Sequence, residues 1–142
     1  MFLYCSITSE TSRMDVVGHP ALLHADETFQ IRGAVFEVHT TLGPGFLEAV
    51  YQEALAIELH ARQVPFRAQQ PLRLNYKGHP LRQAYAADFI CFDKVVVELK
   101  VVRDFAPEHR AQLIHYLRAT GLKVGLLVNF GGMEAKIERF AL

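Results

Sequence analysis

Ile31, Val35, Val38 and Leu42 recur at i, i+4, i+7 and i+11. That spacing lays one apolar stripe along a helix, so the pattern predicts a first helix over about 27–41. Gly43-Pro44-Gly45 breaks it. A second helix is predicted from Leu47 to Arg62, with Val50, Ala54, Ile57 and Ala61 as its main stripe and Tyr51, Leu55 and Leu59 widening it. Gln63-Val64-Pro65 ends that helix. The period then changes to two. Residues 71–76 alternate apolar and polar, as a half-exposed strand does. Lys77-Gly78-His79-Pro80 reads as a turn, and 82–92 and 94–102 read as two further strands. The run 94–102 is the most apolar and belongs at the centre of a sheet. Pro107 and Gly121 bracket a helix over about 107–120, with Leu113, Ile114 and Leu117 turned to the sheet. Residues 123–130 form a buried strand, reached from 94–102 by a parallel crossover. Residues 135–141 add a short edge strand. The predicted order is α-α-β-β-β-α-β-β, a mixed α/β sheet flanked by helices.

Length and composition narrow the options. The chain has 142 residues, one domain's worth, and half of them are hydrophobic. Formal net charge is zero, so any polyanion site must be a local basic patch. Arg62, Arg67, Arg73, Lys77, Arg82, Arg103, Arg110 and Arg118 offer a phosphate-binding rim or a solvated surface. Cys5 and Cys91 lack a CxxC partner, and Cys91 lies in an apolar strand, so a buried thiol in a reducing, cytoplasmic compartment is expected. The seven histidines show no HxxxH spacing, which argues against a zinc site. Residues 1–26 read as a loosely ordered leader, with Met14 as an alternative start, and 27–142 as the domain. No apolar run approaches the ~20 residues that span a bilayer.

Three charged residues interrupt this apolar chain. Asp88, Glu98 and Lys100 stand among Phe89, Ile90, Val95, Val96, Val97, Leu99 and Val101. Glu98 and Lys100 are two apart and share one strand face. Unpaired charge is costly to bury. Either these two pair for structure, or with Asp88 they form a divalent-metal site with a lysine beside it. A two-residue loop at Asp93-Lys94 would turn Asp88 away from Glu98. A three-residue loop at 92–94 sets the two opposite each other. It also groups Phe89, Cys91, Val95, Val97, Leu99 and Val101 on the other face.

Asp88, then Glu98-Leu99-Lys100 after nine residues, resembles the D…ExK signature of the PD-(D/E)XK, or restriction-endonuclease-like, nuclease superfamily. Gly45-Phe46-Leu47-Glu48-Ala49-Val50-Tyr51 is similar to the motif that names the bacterial GxxExxY family within it. Gln112-Leu113-Ile114-His115-Tyr116 resembles the QxxxY motif of the superfamily's exonuclease-like branch. Ala87 stands where the superfamily name has proline. The resemblance implies Asp88, Glu98 and the Leu99 carbonyl as ligands of Mg²⁺ or Mn²⁺, with Glu48 as an accessory ligand or the holder of a metal-bound water. It implies that Lys100 orients or activates the attacking water, and that Gln112 and Tyr116 line the site and contact the phosphate or Lys100. The implied activity is phosphodiester hydrolysis, in DNA rather than RNA, by a homodimer or with a partner subunit. The alternatives are a non-catalytic nucleic-acid-binding or interaction module that keeps the fold, and a structural subunit docking through its sheet edge.

Overall fold

In the computed structural model of the chain, residues 22–142 are described. The readings of Cys5, Met14 and most of the leader lie outside those residues. Two helices open the fold, α1 (Ala25–Leu42) and α2 (Glu48–Ala61). A long hairpin, β1 (Phe66–Tyr76) and β2 (His79–Cys91), runs into β3 (Val95–Lys100). Then come α3 (Pro107–Thr120), β4 (Val124–Asn129) and β5 (Lys136–Ala141). The sheet order is β1-β2-β3-β4-β5, so the apolar β3 is central, as its composition requires. β3 and β4 are parallel, and every other neighbouring pair is antiparallel. This is the expected mixed α/β sheet in the expected order.

Each face of the sheet has its own core. Ile31, Val35, Tyr51, Leu55 and Leu59 of α1 and α2 pack on Phe89, Val97, Leu99, Leu126 and Val128. Leu113, Ile114 and Leu117 of α3 pack on the opposite face, against Ile90, Val96 and Leu127. Each fully buried side chain of this size contributes about 1.5–3 kcal/mol. Because both faces are covered, β3 and β4 are almost continuously apolar. Pro107 sits in the first turn of α3, and Gly121 closes it at φ 76°, its N–H donating to Leu117 O.

Four expectations are corrected. The main stripe expected for the second helix, Val50, Ala54, Ile57 and Ala61, is not its core face. Tyr51, Leu55 and Leu59 are fully buried, whereas Ile57 is 65% and Val50 37% exposed. Both stripes have helical period, and the larger side chains took the interior. α1 begins at Ala25, inside the stretch expected to be leader. β1 begins at Phe66, not residue 71, because pairing with β2 and the edge-on contact of Phe66 with Phe89 at 5.5 Å hold a segment that does not alternate. β3 ends at Lys100, not 102. Beyond it Asn129 Oδ1 accepts from Val102 N–H at 3.1 Å, and Asn129 Nδ2 donates to Val102 O at 2.8 Å. A side chain replaces the ladder there. Among the described residues, no helix is long and apolar enough to cross a membrane.

Candidate metal and phosphate site

Phe92, Asp93 and Lys94 form the three-residue loop between β2 and β3. Phe92 and Asp93 adopt positive φ, 58° and 55°, and Lys94 N–H donates to Cys91 O at 3.0 Å. The pairs that follow are Cys91↔Val95, Ile90↔Val96 and Phe89↔Val97. One step further, Asp88 stands opposite Glu98. There the backbone ladder stops and carboxylates take its place. Asp88 N–H donates to Glu98 Oε1 at 3.3 Å, and Leu99 N–H donates to Asp88 Oδ2 at 2.8 Å.

The hairpin also turns over at this point. Phe89 and Cys91 pack toward α1 and α2, whereas Tyr85 and Ala87 pack toward α3. Strict alternation would keep all four on one face. Across the pair, Gln69 has φ 51° and its Nε2 donates to Asp88 Oδ1 at 3.3 Å. A local break of this kind re-aims a side chain. Here it swings Asp88 into the gap between β2 and β3.

Glu98 is only 3% exposed. Burial, reinforced by the charge of Asp88, pushes its carboxyl up to about 8. The Tyr85 hydroxyl lies in hydrogen-bonding reach of Glu98 and partly offsets the rise. Tyr116 is buried below Tyr85, ring centroids 5.7 Å apart at 66°, and its hydroxyl donates to Gln70 O at 3.3 Å. Burial and then Glu98 raise the Tyr116 phenol. Tyr85 escaped the sequence reading. Its only signal is a large polar ring between small residues, Ala84 and Ala86, and a buried Tyr hydroxyl needs a partner.

Lys100 follows Glu98 on the same strand face and is partly buried. It makes no ion pair among the described residues, so the structural Glu98–Lys100 pair is not what holds these charges. Its charge acts instead on two helix starts. It opposes the rise that burial causes in Glu48, and it adds to the lowering that burial causes in His109. His109 Nδ1 is already engaged, accepting from Ala106 N–H at 3.0 Å. Glu48 opens α2, exposed at the surface, and the charge of Asp88 raises it further. The loop before α2 is pinned by the buried Tyr51, whose hydroxyl donates to Gly43 O and accepts from Phe46 N–H at 3.4 Å. Tyr51 in turn stacks on Phe130 at 4.6 Å. Gly45, at φ 106°, supplies backbone that other residues rarely adopt. Gln112 is exposed, one turn before Tyr116 on α3, and makes no hydrogen bond to the described residues.

The donors at the gap are all oxygen. Lys100 O accepts from Phe130 N–H on the β4 side at 2.9 Å. Groups alternate along a strand, so the Leu99 carbonyl leaves β3 with its N–H, toward Asp88. Two carboxylates and one carbonyl, the rest filled by water, is a set that Mg²⁺ or Mn²⁺ accepts. A divalent charge would also relieve the repulsion that raises Glu98. Glu48 does not complete a tighter cage: among the described residues no three His, Cys, Asp or Glu side chains are gathered closely enough to hold a metal. Cavities of about 430, 410 and 230 Å³ open elsewhere and are not lined by Asp88, Glu98 or Lys100. The carboxylates thus sit at an opened strand edge.

A family model described as the PD-(D/E)XK nuclease superfamily matches residues 25–140. No curated protein matches the chain. Among solved structures the chain is similar to one described as "Crystal structure of SSO0001", at 18% identity and a TM-score of 0.53. That match covers 83% of this chain and 58% of the other, so this chain spans little more than half of that one's length. At this identity the likeness concerns the fold alone. With nearly the whole sheet and all three helices inside the matched region, the chain belongs to the PD-(D/E)XK nuclease superfamily.

Proposed function

We propose that this protein is a divalent-metal-dependent nuclease that hydrolyses phosphodiester bonds in DNA. The observation that carries the reading is the meeting of Asp88 and Glu98 at the opened β2–β3 edge, beside a lysine with no ion pair among the described residues. Asp88, Glu98 and the Leu99 carbonyl would hold Mg²⁺ or Mn²⁺. When bound, such an ion draws charge from the phosphate and lowers the pKa of water. Lys100 would orient the attacking water and face the charge that builds on the phosphate. Glu48 would hold a water in the outer shell, since it lies near Asp88 and Lys100 in charge but not in a ligand cluster. Tyr116 would shape the floor of the site through Tyr85, and Gln112, exposed on α3, would meet substrate at the rim.

The Gly45–Tyr51 segment supports a place in the GxxExxY family. Gly45 allows the loop, Tyr51 pins it, and Glu48 is presented to the site. The free, buried thiol of Cys91, pushed up to about 12 by burial, suits a reducing cytoplasm. A domain of this size suits a homodimer or a partner subunit. One observation favours a second reading, a binding module that keeps the fold: both carboxylates already have partners within the chain, Leu99 N–H and Asp88 N–H.

A nicking assay separates the two. Supercoiled plasmid with Mg²⁺ or Mn²⁺ is expected to be nicked by the wild type. Glu98→Gln and Lys100→Ala are each expected to lose about a hundredfold or more, with unchanged circular dichroism. Wild-type nicking by both variants would reject the assignment.

A further inference from the structure

The β1–β2 hairpin does not end where its packing ends. Leu72 and Tyr85 are the last residues that lean on the α3 core. From Arg73 through Ala84 every residue is exposed. Two strands exposed on both faces are marginal in water unless something covers them. The charge of this arm is one-sided. Between Glu58 and Asp88 the chain has no carboxylate and five Lys or Arg, while the remaining ten cations stand against all fifteen carboxylates. Arg67, at the arm's root, pairs with Asp93 at 3.1 Å. Arg73, Lys77 and Arg82, further out, make no ion pair among the described residues. A neutral protein has thus gathered on one exposed ribbon three cations with no ion pair among the described residues.

We infer that this arm grips a DNA duplex beside the cleavage point, with Arg73, Lys77 and Arg82 on phosphates. The inference rests on the nuclease reading for what lies at the arm's base. The ribbon is rooted there: Gln69 of β1 bonds Asp88, so the arm leaves from the candidate site itself. From Gln69 to Tyr76 the strand reaches about 23 Å at ~3.3 Å per residue. That covers about seven base pairs at ~3.4 Å each.

The form of the arm selects a duplex. A two-stranded ribbon enters the major groove of B-form DNA, about 12 Å wide, whereas the A-form major groove is too narrow for side chains to read. Single strands are held by aromatic stacking. The tip carries one tyrosine, Tyr76, with the Lys77 ammonium 5.4 Å from its ring centroid, and so no row of rings on which successive bases could stack. Pairing two arms from two copies would set like charges against each other.

The test is duplex binding by Glu98→Gln protein in EDTA, read by fluorescence anisotropy over a salt series. Cleavage plays no part in that readout. Adding Arg73→Gln, Lys77→Gln and Arg82→Gln is expected to weaken binding tenfold or more and to flatten the log–log salt slope by about 2.7, which is ~0.9 per phosphate lost. Arg73→Lys with Arg82→Lys is expected to keep both. Trimming the duplex flank below about seven base pairs is expected to weaken the parent and not the triple variant. All three side chains are exposed, so the melting temperature should not move. Unchanged affinity and slope in the triple variant would overturn the inference. So would a loss confined to single strands, or a loss of dimer in sedimentation. If the wild type never nicks DNA yet binding depends on the arm, the nuclease reading falls and the grip stands. If it nicks and the triple variant binds as before, the grip alone falls.

Discussion

Glu98 holds its proton to higher pH than an exposed glutamate because burial and Asp88 both oppose its charge. The consequence for stability has a definite sign. Between the ordinary 4.5 and about 8 the folded chain binds more protons at Glu98 than the unfolded chain. Stability from this group is therefore full below about 4.5 and is lost as pH rises through about 8. Thermal melts in EDTA are expected to show a falling midpoint from pH 5 to 8, with a shallower fall in Glu98→Gln. An equal fall in both proteins would place the effect elsewhere. Tyr85 lowers Glu98 by its hydrogen bond, so Tyr85→Phe is expected to move the Glu98 titration upward, as carboxyl NMR would show. Asp88, Glu98 and Lys100 were legible in sequence because charge in an apolar run is costly. Tyr85 was not, because a tyrosine in a strand is ordinary until its hydroxyl is seen within reach of a buried carboxylate.

At the scale of elements, the loop before α2 hangs on one hydroxyl. Tyr51→Phe keeps the stack on Phe130 but leaves Gly43 O and Phe46 N–H without that partner. Urea denaturation is expected to show a loss of about 1 kcal/mol, and plasmid nicking to fall with it as Glu48 loses its fixed approach. Full stability with lost nicking would point to a direct role for the hydroxyl. α3 meets the sheet as closely. A Cβ at Gly125 would stand 2.8 Å from Leu113, which is fully buried. Gly125→Ala is expected to cost about 1–3 kcal/mol by overpacking. The ends of α3 were readable from Pro107 and Gly121, residues with fixed backbone consequences. The buried face of α2 was not, because two apolar stripes share its period and only volume against the sheet chooses between them.

At the scale of the molecule, helices cover both faces of a five-stranded sheet, and a gap opens inside it where β2 parts from β3 beyond Phe89 and Val97. The element order was legible because β3 and β4 are buried on both faces and so are continuously apolar. The reversal of β2 at Asp88 was not. Its signal is a positive φ at Gln69, a residue whose type does not demand one. Nor was the reach of the arm: the alternation over 71–76 reads as a strand with one covered face, whereas Leu74 and Tyr76 are both exposed. The reversal is what brings the carboxylates together, so the account stands on a cation site between them. Titration calorimetry with Mn²⁺ is the most direct test. The wild type is predicted to bind stoichiometrically with release of a proton at pH 7, and Asp88→Asn to lose that binding. Mn²⁺ binding of unchanged affinity in Asp88→Asn, or none in the wild type, would contradict the account.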